Sequence, residues 1–443
     1  MRMSCAWCLS EMPRWRFKRP GLCIGRAMVL SCILLASSPA YSAAPDDADL
    51  EALSTADKVT ALPGHASDWK VLLEGAVGNA WQRYGLPTVD TERLSSAVAL
   101  DKTLLPGWRL LLDDRLDWNW QGQNPSATRF NTLKEFYLSW QITPGELADF
   151  GRINTHYGSA TGYNPTDFFR GNAIRALVSL DPNSVRDNRL GSVMLRSQIL
   201  WTGGSLTALV SPRLAGAPGT APYSLDAGAT NNMNRWLLAL SGQVSENINP
   251  QFLLYGEAGK SPQLGFNLSY LLNDATTATL EWSGGNSATL YAQSLGNSQK
   301  EGFLSRLATG LTYTTSNNIS LTVEAEFNGT AVDSAAWTAL GHGPLAAYLH
   351  YLSFAAQARD LPTRESLFLM TRWPDALLRH LDLTAFVRQD RVDQSRLDWV
   401  EARYHWEHVD MALQGQRYGG RAMSEFGVLP QRTILQTVMS YYF

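Results

Sequence analysis

A two-residue alternation recurs along most of this chain, and it limits the possible folds more than any other feature. Residues 108–120 read WRLLLDDRLDWNW. One parity carries Trp108, Leu110, Leu112, Leu116, Trp118 and Trp120; the other carries Arg109, Asp113, Arg115, Asp117 and Asn119. A period of two is that of a strand with one apolar and one polar face. Nothing in a water-soluble sandwich favours tryptophan at both tips of the apolar face. In a strand that crosses a bilayer, aromatics mark the two interfaces and polar groups face a lumen. Asp114 breaks the apolar parity, which fits a position near an interface or at a bulge.

The same alternation appears in residues 69–81, 134–142, 193–201, 263–272, 277–283 and 319–327, and in the terminal LQTVMSYYF of 435–443. One such segment is a weak signal, but many of them separated by turn residues make a strong one. Short connections are Pro106-Gly107, Thr143-Pro144-Gly145, Gly203-Gly204, 247–250, Asn273-Asp274, Ser316-Asn317-Asn318 and Glu407-His408. Longer ones fall between them, near 82–92, 121–130, 155–191, 213–234, 285–302, 329–363 and 419–430. This interleaving suits a barrel with short turns at one end and long loops at the other. No helix of membrane-spanning length follows the first 42 residues. A chain that crosses lipid without helices must close its sheet, because lipid offers the backbone no hydrogen-bond partner. In residues 345–358, Leu345, Tyr348, Leu349, Leu352 and Ala356 follow helical spacing after Pro344. That stretch reads as a helix in an external loop. The expected fold is therefore all-β, a transmembrane antiparallel β-barrel of about 18 strands, with 16 as the alternative.

Residues 1–42 read as a secretory signal. Arg2, Arg14, Arg16, Lys18, Arg19 and Arg26 precede an apolar run at 27–36, and Ala40-x-Ser42 offers a small-residue cleavage site before Ala43. Residues 43–66 form a short acidic periplasmic segment, and 67–443 form the barrel. Cys5, Cys8, Cys23 and Cys32 all lie in the leader. The mature chain then needs no disulfide or thiolate metal site. Losing the leader removes six basic residues and one acid from totals of 37 and 40, which leaves a net charge of −8. A nucleic-acid partner is not expected of such a chain.

The inward parity collects Arg109, Asp113, Arg115, Asp117, Arg196, Glu281, Glu324, Glu326, Arg388, Glu401 and Arg403. Charges of both signs around a water-filled lumen select solutes by charge and hydration. Residues 151–170, GRINTHYGSATGYNPTDFFR, open a long loop in which Tyr157, Tyr163, Asn164, Asp167, Phe168 and Arg170 mix aromatic and hydrogen-bonding groups. Such a loop is expected to be ordered, folded into the pore as a constriction or packed on its rim. His156 near Ser159 is the only local pair that suggests catalysis, and no nucleophile motif adjoins it. No cofactor and no metal-ligand spacing stand out. Asp181 and Asp187 fit a solvated turn better than a calcium loop. Solute, direction of flow and oligomeric state stay open.

With its leader, girdled strands and terminal Met439, Tyr441 and Phe443, the chain resembles proteobacterial outer-membrane porins. The strand end Gly151-Arg152 followed by Asn164-Pro165-Thr166-Asp167 is similar to families that include alginate-export-type barrels. The resemblance implies an outer-membrane channel for small hydrophilic solutes, with outer-membrane lipid and the barrel assembly machinery as partners. That machinery would read the terminal aromatic pattern. A dedicated exopolysaccharide exporter, an outer-membrane lipase or protease, and a non-conducting scaffold are the alternatives.

Overall fold

The computed structural model describes residues 68–122, 127–219, 221–297 and 302–443. The expected signal and the acidic 43–66 segment lie outside the described residues. Eighteen strands follow in chain order. The first nine are β1 (Trp69–Gln82), β2 (Val89–Leu105), β3 (Trp108–Gln121), β4 (Thr128–Thr143), β5 (Glu146–Ile153), β6 (Ser192–Trp201), β7 (Gly204–Ser211), β8 (Arg235–Gly242) and β9 (Ile248–Glu257). The second nine are β10 (Gln263–Asn273), β11 (Thr276–Ser287), β12 (Gly302–Thr314), β13 (Ser320–Asn328), β14 (Glu365–Trp373), β15 (Leu381–Asp390), β16 (Arg396–His405), β17 (Val409–Gly419) and β18 (Gln431–Tyr442). Every strand pairs antiparallel with its neighbours in sequence, and β1 pairs with both β2 and β18. The sheet is therefore closed, with no free edge to satisfy.

Two consistent faces result. Starting at Glu74, the register pairs Ser95 with Asp117, Asp149 with Arg196, Asn267 with Glu281, Glu324 with Phe368, and Thr384 with Glu401 on one face. The opposite face presents Val77, Phe136, Phe150, Val210, Phe252 and Leu413, all exposed. Trp108 stacks on Trp140 at the turn end, with ring centroids 5.1 Å apart. An outer apolar band ending in aromatics is the surface of a barrel built to span a bilayer.

Turn chemistry sets the hairpins. Pro106 and Gly107 join β2 to β3, and Gly107 takes φ +80°, which a type II turn demands of its third residue. Asp114 sits beside a bulge, because Lys134 is the extra residue where Asp113 pairs with Glu135 and Asp114 with Leu133. With its amide nitrogen turned toward β3, Asn131 donates to Asp114 Oδ1 at 3.0 Å. This accounts for the one polar residue on an apolar parity.

The wall is uneven: β2 has 17 residues and β4 has 16, but β5, β7 and β8 have eight each. Beyond the end of β5, β4 meets the connection to β8, where Asn131 donates its backbone N–H to Pro222 at 3.1 Å. Among the described residues five helices lie in the connections: α1 (Pro182–Asp187), α2 (Ala227–Thr230), α3 (Leu290–Ser294), α4 (Ser334–His342) and α5 (Leu345–Ala358). The last matches the helix expected from spacing. It packs Tyr348 and Tyr351 against Leu290, Val332 and Trp337.

Candidate functional site: a loop folded into the lumen

The segment between β5 and β6 runs across the inside of the barrel. Glu281 of β11 accepts the Ala160 backbone N–H, the Asn164 amide at 3.2 Å and the Thr166 hydroxyl at 3.1 Å. Glu324 of β13 accepts the backbone N–H groups of Thr161 at 2.5 Å and Gly162 at 2.6 Å. Glu326 meets Arg388 at 3.4 Å, and Arg388 also donates to the Gly162 carbonyl. Two glycines make the approach possible. A Cβ on Gly158, which sits at φ +93°, would fall on the Glu281 carboxylate, and one on Gly162 would strike Glu326 and the Phe368 ring.

The loop holds itself together with further charges. Asp167 binds Arg189 at 2.6 Å, and Tyr163 donates its hydroxyl to Asp360 at 2.8 Å. Arg170 pairs with Asp360 and lies over the Tyr163 ring, 5.2 Å from its centroid. Burial works to raise the Asp167 and Asp360 carboxyls, but their arginine partners outweigh it and both sit below the usual carboxylate range. The Tyr163 phenol is pushed well up by burial and by the Asp360 charge.

Alternation places several apolar residues on the inner face as well. Met194, Leu209, Leu237, Leu253 and Tyr255 of β6 to β9 form a buried inward cluster with Ile153 and Phe169. Phe168 stacks on Tyr255 at 4.6 Å between centroids, and Tyr157 packs on the same cluster. Across the barrel, Phe368, Phe386 and Trp399 of β14 to β16 form a second cluster with Phe426, and Leu180 of the loop rests on it. The loop is thus seated on greasy inner wall as a helix is seated on a core.

The remaining arc of wall is polar. Arg115 lies between Glu74 at 2.7 Å and Asp117 at 3.0 Å, and Arg93 reaches Glu74 at 2.6 Å. Arg403 pairs with Glu401 at 2.9 Å and approaches Asp410 at 3.8 Å. A cavity of about 320 Å³ separates this arc from the loop residues Val178, Asp181, Ser184 and Asp187. A second cavity, of about 200 Å³, lies on the other side of α1 against Val185, Arg186, Arg359 and Asp360.

All eleven residues expected to face inward lie on the inner parity, but they fall into separate groups. Arg115, Glu401 and Arg403 border the larger cavity. Arg388 borders the smaller one. Glu281, Glu324 and Glu326 are buried under the loop, which differs from the expectation that they face water. Arg196 is taken up by Asp149 at 2.8 Å, Asp113 by Lys134 at 2.8 Å, Asp117 by Ser95 at 2.6 Å and Arg109 by Asp101. The loop residues Tyr157, Tyr163, Asn164, Asp167, Phe168 and Arg170 all lie in the crossing segment. Sequence reasoning passed over Glu74 as one of many polar-face residues and put Arg93 just beyond a connection that ends sooner. Asp181 is no solvated turn: it caps α1, accepting from the Asn183 N–H at 3.3 Å. Among the described residues no group of His, Cys, Asp and Glu is arranged to hold a metal.

No family model and no curated protein sequence matches the chain. Solved structures do resemble it in fold. OccAB1 of Acinetobacter baumannii has a TM-score of 0.54 at 9% identity, over 85% of this chain and 96% of that one. OccK5 (OpdH) of Pseudomonas aeruginosa has 0.52 at 9%, over 86% and 99%. OpdQ of Pseudomonas aeruginosa has 0.51 at 10%, over 85% and 98%. At such identities the likeness is one of architecture alone, a closed 18-stranded antiparallel barrel.

Proposed function

We propose that this chain is a porin-like channel of a Gram-negative outer membrane, through which small hydrophilic solutes pass passively. The observation that carries the reading is a 38-residue connection (154–191) folded inside a closed barrel, seated on apolar inner wall and on Glu281 and Glu324, with a cavity left between it and the polar arc. A scaffold has no use for a lumen that is half filled and half polar. The open arc carries both charge signs at close quarters, Arg93, Arg115 and Arg403 against Glu74 and Glu401, which favours solutes of modest size and mixed charge.

The structural likeness to OccAB1, OccK5 and OpdQ agrees with this reading. A likeness to alginate-export-type barrels would call for a continuous electropositive track, and the arginines of the open arc alternate with carboxylates. The inner aromatics of β14 to β16 are packed on one another and buried, so they offer no rail for sugar rings. We assign no catalytic residue; the Ser159 hydroxyl takes a hydrogen bond from Ser269 at 3.2 Å. In this reading residues 1–42 are removed on export, Met439, Tyr441 and Phe443 present the assembly signal, and the connections bearing α1 to α5 face outward from the cell.

Proteoliposome swelling tests the proposal. Vesicles carrying the purified barrel and entrapped dextran should swell in isotonic amino acid or small sugar solutions and stay unchanged in a large oligosaccharide. Vesicles that swell in none of them would overturn it.

A further inference from the structure

The loop leaves two cavities in the lumen, and the structure distinguishes them. The smaller is bounded almost wholly by loop residues, with Arg388 as its wall contribution. The larger is bounded on one side by strands β1 to β3 and β16 to β18. The larger cavity therefore lies against the strand wall, whereas the smaller lies between packed loops. The inner edge of the larger cavity is a strap, residues 178–188. Two arginines on distant strands fasten it. Arg93 of β2 donates to the Val178 carbonyl at 2.7 Å. Arg372 of β14 reaches both Asp181 oxygens at 3.4 Å and, with the Asn183 amide turned toward it, that oxygen at 2.9 Å. Between β14 and β2 lie β15 to β18 and β1, so the strap spans the arc of wall that borders the larger cavity.

We propose that solutes pass through the cavity between this strap and the polar arc, and that Arg93 and Arg372 are positioning residues that set its width. This rests on the channel reading. The far end of the strap is tied to the loop itself, with Asn154 donating to the Arg186 carbonyl at 3.0 Å, and Arg93 still holds Val178 at the near end, so freeing Arg372 loosens the middle of the strap. Arg372 is also the more accessible of the two posts, with 31% of its side chain exposed against 10% for Arg93. A planar guanidinium holds the strap end in one orientation, which a lysine ammonium does not reproduce.

Cysteine accessibility separates the two cavities, because the chain's four cysteines are at positions 5, 8, 23 and 32, ahead of β1 in sequence. Ser184 faces the larger cavity and Val185 the smaller. In single-channel recordings, a cationic methanethiosulfonate reagent should cut the current of Ser184→Cys by roughly half or more and leave Val185→Cys unchanged. Arg372→Gln should raise conductance about 1.5-fold, and Arg372→Lys should also raise it. Should Ser184→Cys fail to fold, Ser179→Cys, which lines the same cavity, takes its place. Block at Val185→Cys with none at Ser184→Cys, in a wild type that conducts, overturns the placement and leaves the channel reading intact. Unchanged conductance in Arg372→Gln overturns the role of that residue. A silent wild type removes the channel reading itself.

Discussion

At the scale of single residues, the carboxylates of the inner wall have different tasks that parity alone does not separate. Glu281 and Glu324 face inward as the alternation implies, yet they spend their lone pairs on backbone N–H groups of the loop. A typical intramolecular hydrogen bond contributes about 0.5–1.5 kcal/mol. Glu324→Gln keeps the shape and turns one of the two acceptor oxygens into a donor, so one loop N–H loses its partner and the loop should loosen, seen as faster protease nicking between residues 155 and 190 with the barrel intact. Arg115 borders the larger cavity and Arg196 is tied to Asp149 beneath the loop. Arg115→Ala should therefore shift the reversal potential toward cation selectivity, while Arg196→Ala should shift it little. Equal shifts in both would place the path elsewhere. Asp167 and Asp360 sit below the usual carboxylate range, so the stabilisation they lend is complete above the ordinary Asp value and lost only as pH falls through the lowered one. Protection of the loop from protease should thus persist down to about pH 4.

At the scale of elements, the strands and their turns were legible because their period, apolar face and Gly-Pro punctuation agree. The helix α5 was legible from the spacing of Leu345, Tyr348, Leu349 and Leu352. Connections of five residues, 258–262 and 391–395, escaped notice because they are as short as turns. The inward apolar cluster of β6 to β9 also escaped. On a strand that is apolar on both faces, such as Leu237–Leu240, alternation has no contrast to display. What the loop sits on is thus hidden in the sequence, although its aromatic content hints that it must sit on something. Phe168→Ala removes a ring stacked on Tyr255 and should cost the loop's docking about 3 kcal/mol, read as increased open-channel noise. Asp181 behaves oppositely to Asp167. Burial raises its carboxyl above the ordinary range, Arg372 of β14 and Arg403 of β16 counter that, and Glu401 of β16 adds to it. Its charge is lost at higher pH than that of Asp167. Acidification should therefore loosen the strap first, and conductance should rise before protease protection of the loop falls.

At the scale of the whole molecule, closure explains the rest. An even number of antiparallel strands puts both strand termini at one end, and β1 meeting β18 leaves no edge. The outer face exposes aliphatics between aromatic rims, the pattern of a strand surface suited to a bilayer. The inner face holds the loop by apolar clusters and by wall glutamates and arginines, and one polar stretch of wall keeps a cavity between itself and the loop. The most direct test is single-channel recording of the purified wild-type barrel in a planar bilayer. The expected result is stable current steps of uniform size, with a reversal potential in a salt gradient that Arg115→Ala displaces. A folded, heat-modifiable barrel that inserts and yet leaves the membrane silent would contradict an open path beside that polar stretch.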